Sequence, residues 1–181
     1  SIMSELRTNR IVPRDGLPSG SAGGIIQVVS NTLTTSAYQN IDPDDNYDWN
    51  TLTCVITPTR SDSKIMITGM LSLVGEQNNQ FFLKIKRSGS LISGARGTGS
   101  TGSRQTVTTG IPTPDRSNTL GNIFVQYLDS PSTTSAVTYM FNITHNSSSQ
   151  RALYINKTDD DSNNDKVPRG ISTMTVMEIC G

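Results

Sequence analysis

The feature that most constrains the fold is a two-residue period of apolar side chains in short runs along the chain. In the run TLTCVIT, Leu52, Cys54 and Ile56 share one face and threonines occupy the other, as in a half-buried β-strand. Residues 64–74 (KIMITGMLSLV) repeat this pattern. No window contains three or more turns of apolar residues at helical spacing. The sequence therefore predicts strands and excludes a parallel βαβ architecture.

Similar runs recur between stretches rich in turn residues. They are Ile25–Val29, Phe81–Lys86, Ile123–Leu128, Val137–Ile143, Ala152–Ile155 and Ile171–Ile179. At least seven strands, separated by roughly 8 to 15 residues, are typical of an all-β antiparallel β-sandwich or jelly roll. We expect residues 24–181 to form this domain. A sandwich with so few apolar residues leaves strand edges exposed and has a modest core, which favours oligomerisation.

Four local predictions follow from the same runs. Residues 81–92 and residues 123–143 each read as a β-hairpin. Gly69, inside an apolar run, indicates a bulge or a bend. His145 stands at the end of a strand beside Thr144 and Asn146, so we expect it in a surface turn.

Composition narrows the possible partners. Serine, threonine, asparagine and glycine make up 75 of the 181 residues, and charged residues reach only 17% with a formal net charge of zero. The chain lacks the broad positive field that nucleic-acid binding requires, so nucleic acid is not predicted as a partner. No run approaches the roughly 20 apolar residues of a bilayer-spanning helix, so membrane insertion is not predicted either.

Two cysteines, Cys54 and Cys180, are too few for a four-ligand metal site or a disulfide framework. No basic and then apolar opening resembles a secretion signal, so we expect use without export and two reduced, buried thiols. A bridge between the two cysteines stays open if they lie on adjacent strands.

The first residues differ in composition from the rest. Residues 1–14 carry Arg7, Arg10 and Arg14 around short apolar pairs such as Ile11–Val12, and residues 15–24 (DGLPSGSAGG) have the composition of a linker. We therefore expect residues 1–23 to be an N-terminal arm with a hinge, which needs a partner surface to become ordered. A frayed terminus accounts for the pattern equally well.

A search for catalytic patterns argues against an enzyme. His145 is the only histidine, and the chain has no HExxH, phosphate-loop or dinucleotide motif. No catalytic residue and no cofactor is predicted.

One acidic stretch resembles the start of a calcium loop, with Asp159, Asp161, Asn163 and Asp165 at alternate positions. The sixth position is Asn164 instead of Gly and the twelfth is Gly170 instead of Glu, so a solvated turn is favoured over a metal site. Trp49 is interpreted as a plug at one end of the sandwich. With Tyr47 it could instead form an aromatic platform for a sugar.

Four segments, in this order and spacing, resemble a known family. They are Ile25–Val29, residues 54–64 (CVITPTRSDSK), residues 126–137 (QYLDSPSTTSAV) and residues 175–179 (TVMEI). They resemble the C-terminal β-sandwich domain of virion proteins of tailed bacteriophages, especially tail-fibre proteins of phages that infect marine bacteria and cyanobacteria. The opening Ser4–Val12 (SELRTNRIV) is similar to the start of such fibre proteins, where it acts as an attachment arm. The similarity spans residues 4–179.

The resemblance implies a jelly roll related to tumour necrosis factor-like domains, a homotrimer, and a structural or host-adhesion role in the virion, after assembly in the host bacterial cytoplasm. It offers no catalytic residues. It implies that the arm binds other virion proteins, through Leu6, Arg7, Arg10, Ile11 and Val12.

Within the same class, a capsid (head) decoration protein stays open. From another class, a carbohydrate-active enzyme or a carbohydrate-binding, lectin-like module stays open as well, because jelly rolls host both. The resemblance does not decide between tail and capsid. If the protein recognises a host glycan or protein, the expected contacts are the loops 94–104, 111–118 and 158–165.

Overall fold

The computed structural model describes residues 24–99, 102–114 and 117–180, and within these ranges the chain forms two antiparallel sheets packed face to face. The all-β sandwich predicted from the sequence is confirmed. In the described part the chain forms eleven strands and one short 3-10 helix, Ser93–Ala95. The strands are β1 Ile25–Leu33, β2 Ala37–Ile41, β3 Tyr47–Ile56, β4 Lys64–Gly75, β5 Phe81–Arg87, β6 Ser90–Leu91, β7 Thr109–Ile111, β8 Asn122–Asp129, β9 Val137–His145, β10 Arg151–Ile155 and β11 Ser172–Ile179. The predicted arm, residues 1–23, lies outside the described residues.

The strand order is that of a jelly roll. In the first sheet β1 pairs with β11, β11 with β4, and β4 with β8; in the second, β3 pairs with β9, β9 with β5, and β5 with β7. When β2, β6 and β10 are left out and the eight remaining strands are numbered in chain order, the two sheets have the orders 1-8-3-6 and 2-7-4-5. Successive strands therefore alternate between the two sheets in a Greek-key manner, except for the fourth and fifth, which pair with each other in the second sheet. In addition, β10 pairs with the end of β4, and β2 pairs with β10.

One predicted hairpin is confirmed and the other is wrong. β5 and β6 form a hairpin whose two turn residues, Ser88 and Gly89, have φ angles of 47° and 83°, as a type I′ turn requires. β8 and β9 do not pair, because β8 joins the first sheet and β9 the second. The connecting segment carries the chain across the sandwich, and the buried Asp129 at the end of β8 binds Tyr139 of β9 from the opposite sheet (2.7 Å).

The core lies between the two sheets. Ile65, Ile67 and Leu71 of β4 face Phe141 of β9, and all four are buried. A fully buried side chain of this size contributes roughly 1.5–3 kcal/mol. Trp49 is buried as well, with its ring centroid 6.5 Å from that of Phe141, so it is a core residue, as its interpretation as a plug requires.

The two cysteines differ in their surroundings. Cys54 is buried in the core and donates from Sγ to the carbonyl oxygen of Met174 (3.4 Å), whereas Cys180 is only partly buried. No disulfide joins them. The expectation of a buried thiol is confirmed for Cys54 and is wrong for Cys180, because Cys180 follows the last strand at the edge of the domain.

Gly69 is needed for packing and causes no bulge. β4 pairs without a register shift on both of its edges at this position, with Met174 on one side and Val125 on the other. A Cβ atom on Gly69 would lie 2.7 Å from Cζ of Phe141. The predicted bulge is therefore wrong, and the glycine lets the Phe141 ring approach the β4 backbone.

One side of the sandwich is closed by polar side chains of the first sheet. The amide of Gln27 donates to the carbonyl oxygen of Thr57 (2.7 Å), and that of Asn31 donates to the carbonyl oxygens of Thr51 and Thr53 (3.3 and 3.1 Å). These bonds satisfy carbonyl groups along β3, the edge strand of the second sheet.

Glu178 closes the same side from β11. Its Oε1 accepts hydrogen bonds from the backbone and the hydroxyl of Thr59 (2.7 and 2.8 Å), and its Oε2 accepts one from Gln27 (2.6 Å). Burial acts to raise the pKa of Glu178, but the hydrogen bonds that its carboxylate accepts outweigh this effect and hold the pKa below its ordinary value. In the part of the chain that the structure describes, no helix is long and apolar enough to cross a membrane.

Candidate functional site: an uncharged sheet face

The outer face of the first sheet presents three straight rows of side chains. Residues paired directly across an antiparallel sheet project to the same side, so the register of β1, β11, β4 and β8 fixes each row. The rows are Val28–Met177–Met66–Leu128, Ser30–Thr175–Thr68–Gln126 and Thr32–Thr173–Met70–Phe124. We call these twelve residues the uncharged face.

The uncharged face carries no charged side chain at any of its twelve positions. A solvated protein surface is about 25–35% Lys, Arg, Glu and Asp, so twelve solvated positions would hold about three or four of them. Several of the large side chains on the face are open to solvent in the single chain. Phe124 is 68% exposed, Val28 55%, and Met70 and Leu128 46% each. This combination is typical of a surface that another protein covers.

The middle row of the face bonds largely to itself and to its own sheet. The hydroxyls of Ser30 and Thr175 lie 2.9 Å apart, and the hydroxyl of Thr68 donates to the carbonyl oxygen of Thr175 (3.4 Å). Their polar groups therefore have partners within the sheet, and a second surface can cover them at little cost.

Polar pairs mark the two ends of the face. At one end the ammonium of Lys64 donates to the hydroxyl of Ser130 (2.9 Å), and at the other the hydroxyl of Ser72 donates to Oδ1 of Asn122 (3.1 Å). The apolar area continues beyond the first row along β1, where Ile25 is 60% exposed.

The N-terminal end of the described chain lies beside the end of the last strand. The amide of Cys180 donates to the carbonyl oxygen of Gly24 (2.9 Å), and Ile25 pairs with Ile179. Ile179 also pairs with Lys64, so the domain begins at the end of the uncharged face that Lys64 and Ser130 mark.

A polar cleft of about 310 Å³ opens between the end of β8 and the β5–β6 hairpin. Its polar lining residues are Arg87, Ser90, Ser93, Tyr127, Asp129 and Ser130. Nη1 of Arg87 donates to both carboxylate oxygens of Asp129 (3.0 and 2.9 Å), which also accepts the bond from Tyr139. Burial, followed by this hydrogen bond, raises the pKa of Tyr139, so the phenol stays protonated. The cleft thus offers a rigid ion pair and several hydroxyls, a lining that can bind a hydroxyl-rich molecule.

The residues singled out from the sequence are not brought together into one site. Leu6, Arg7, Arg10, Ile11 and Val12 of the predicted arm lie outside the described residues. Of the three loops, the described parts of two meet, because the amide of Asp160 donates to the carbonyl oxygen of Ser117 (2.8 Å). The loop that begins at Gly94 borders the polar cleft instead.

The prediction for His145 is wrong. The side chain is buried, with Nε2 2.9 Å from the carbonyl oxygen of Ile41 and Nδ1 accepting from the amide of Ser147 (3.0 Å). The residue ends β9, and its two ring nitrogens contact the last residue of β2 and the turn that follows β9. It serves as a structural link between them.

The acidic stretch at residues 159–165 is used for local contacts. Asp161 forms ion pairs with Lys157 and Arg169, and the carboxylate of Asp160 accepts from the amide of Ser162 (2.9 Å). Within the described residues no three His, Cys, Asp or Glu side chains are grouped to hold a metal ion.

No family model matches the chain, and no curated protein matches it.

The sequence analysis did not identify the uncharged face, because its members come from four strands whose pairing the sequence does not reveal. A signal was present in the outward positions of those strands, where Thr, Ser and Met stand in place of charged residues.

Proposed function

We propose that this chain is a non-enzymatic structural protein of a tailed-phage virion, a homotrimeric tail-fibre or fibre-like appendage anchored by its N-terminal arm. The observation that carries the proposal is the uncharged face. A jelly roll whose outer sheet face is uncharged and partly apolar is suited to packing against copies of itself. The resemblance of residues 4–179 to fibre proteins supports the virion as the setting.

Self-association is the part of the proposal that the described residues support most directly. The face has alternating apolar and hydroxyl rows, and its polar groups are already paired within the sheet. Packing two such faces buries methionine and phenylalanine side chains without leaving charges unpaired. When three copies are held together, their weak contacts with a host surface also act at the same time, so the overall binding is stronger than that of one copy.

The arm has a suitable position for anchoring. The domain begins at Gly24, beside Cys180 and next to the exposed Ile25. In the proposed trimer the three arms leave from the same end, so they can act together on one partner surface.

The experiment is a mass measurement in solution, combined with assembly onto particles. We expect the wild-type protein to have three times the chain mass of 19.6 kDa and Phe124→Glu to be monomeric, because a carboxylate within the interface would be buried without a partner. Val55→Glu, at an exposed position of the second sheet (53%), is the matched control and should stay trimeric.

In the same experiment, the Arg7→Glu, Arg10→Glu double variant should form trimers that no longer join virions. A monomeric wild-type protein at micromolar concentration would overturn the trimer. Normal incorporation of the arm variant would overturn the anchoring role.

A further inference from the structure

The outer face of the second sheet carries a group of cations with too few acidic partners. Lys84 and Lys86 project outward from β5, and Asn142 of β9 is paired directly with Lys84. Arg96 follows Ala95, whose carbonyl oxygen accepts from the hydroxyl of Thr108 (2.7 Å), and the amide of Thr108 donates to the carbonyl oxygen of Leu83 (2.9 Å), so this segment lies against β5 beside Lys84. We call Lys84, Lys86 and Arg96 the cation cluster.

One carboxylate borders this cluster, and it is already in use. Asp48 of β3 accepts hydrogen bonds from the ammonium of Lys86 (2.7 and 2.8 Å) and from the side-chain amide of Asn142 (2.7 Å). With three cations around one carboxylate, the local charge is +2. No acidic residue of the described part forms an ion pair with Lys84 or Arg96.

Lys84 is the most unusual member of the cluster. Its side chain is only 9% exposed, and none of the hydrogen bonds within the described residues involves its ammonium. Most of this residue is therefore removed from water, while its ammonium is paired with no group of the described chain. Burial lowers the pKa of Lys84, and the nearby charges of Arg96 and Lys86 lower it further.

Other polar atoms at the same place also lack partners. In the described part, Nε of Arg96 and Oγ1 of Thr144, which can both donate, are buried and make no hydrogen bond; Oδ1 of Asn142 is also unpaired but is an acceptor, so an anion would not contact it. Asn142 and Thr144 are alternate residues of β9 on the side that faces Lys84 and Phe82 of β5. Buried polar atoms in folded proteins are nearly always paired, so this concentration of unpaired groups indicates a polar occupant.

We propose that the cation cluster is a binding site for an oxyanion, the phosphate, sulfate or carboxylate group of an acidic surface polymer or of a free small molecule. Lys84 donates from its ammonium, Arg96 from its guanidinium and Thr144 from its hydroxyl, while Lys86 stays on Asp48 and adds long-range attraction. Such charge-assisted hydrogen bonds are about twice as strong as neutral ones. The site lies on the sheet opposite the uncharged face, so a trimer leaves it open.

The test is a titration of the full-length protein with inorganic phosphate, sulfate and acetate, and with glucuronate as a saccharide carboxylate. Ionic strength is held constant with chloride, and binding is followed by calorimetry and by the melting temperature. We expect at least one of the four anions to raise the melting temperature along a saturating curve, and the rank order of the four assigns the group that the site takes.

Lys84→Met is the decisive variant, because it keeps the volume of the side chain and removes a buried charge, so the protein should fold. It should lose the saturating response and bind at least tenfold more weakly. Arg96→Gln should bind about tenfold more weakly, and Lys166→Met, an exposed lysine in a loop, should bind like the wild type. Binding of the anion should also weaken as pH rises toward the pKa of Lys84, because the ammonium then loses its charge. The other charged groups that face the site are Lys86, Arg96 and Asp48.

An equal response in the wild type and in Lys84→Met, or no response beyond that to chloride, would overturn the proposal. Because the measurement does not depend on subunit number, its failure is distinguishable from failure of the proposed trimer. The mass of each variant in solution is measured alongside.

Discussion

At Glu178, burial and hydrogen bonding act on the same carboxylate in opposite directions, and hydrogen bonding prevails. The carboxylate ties β11 to Gln27 of β1 and to Thr59 beyond β3. Because its pKa is lower in the folded state than in the unfolded state, it adds stability above its ordinary pKa of about 4.3. That contribution is lost as pH falls from there through the lowered folded pKa.

Replacement Glu178→Gln should therefore lower the free energy of unfolding by about 1.5–3 kcal/mol at pH 7. The glutamine amide keeps the shape of the side chain, but its NH2 group is a hydrogen-bond donor and would face the donors of Thr59 and Gln27. The difference between variant and wild type should shrink below pH 4, as the wild type takes up a proton. Urea unfolding between pH 3 and 7 measures both values, and a difference that is independent of pH would contradict this account.

Single residues were the least predictable part of this chain. The sequence around His145 is polar, yet the side chain is buried and bonded to Ile41, about a hundred positions earlier in the chain. The same holds for Lys84, whose burial depends on Asn142 and on the segment around Arg96. Contacts between distant segments decide both environments, and local composition does not report them.

At the scale of the strand, periodicity predicted most of what forms. The alternating runs at residues 52–56 and 64–74 are parts of β3 and β4, and the runs at 81–86 and 171–179 correspond to β5 and β11. The pairing of strands was harder to predict from the sequence, because an alternating run shows which face of a strand is apolar but not which strand lies beside it. β8 and β9 illustrate this, since both alternate as a hairpin would and yet they belong to opposite sheets.

Gly69 gives a prediction at this scale. Gly69→Ala should lower the free energy of unfolding by about 1–3 kcal/mol, because the added methyl forces the Phe141 ring to move in a packed core. Gly110→Ala in β7 is the matched control, since its nearest neighbour would be 4.0 Å away. Chemical denaturation of the two variants measures the difference, and equal stability would show that the ring has room to move.

At the scale of the whole molecule, the account depends on the uncharged face being covered. The sequence predicted a sandwich with a modest core and exposed edges, and it favoured self-association on that ground. It did not indicate which surface would be used. The surface emerges only when the register aligns Met66, Met70 and Met177 with Phe124 and Leu128 across the sheet.

The most direct test of this claim is the oxidation of methionine by dilute hydrogen peroxide, followed by mass spectrometry at increasing protein concentration. Met66, Met70 and Met177 lie on the uncharged face, whereas Met140 is a partly exposed residue of the second sheet. The account predicts that Met70, 46% exposed in the single chain, becomes protected as subunits associate, while Met140 reacts at a constant rate. Equal and concentration-independent oxidation of Met70 and Met140 would contradict it.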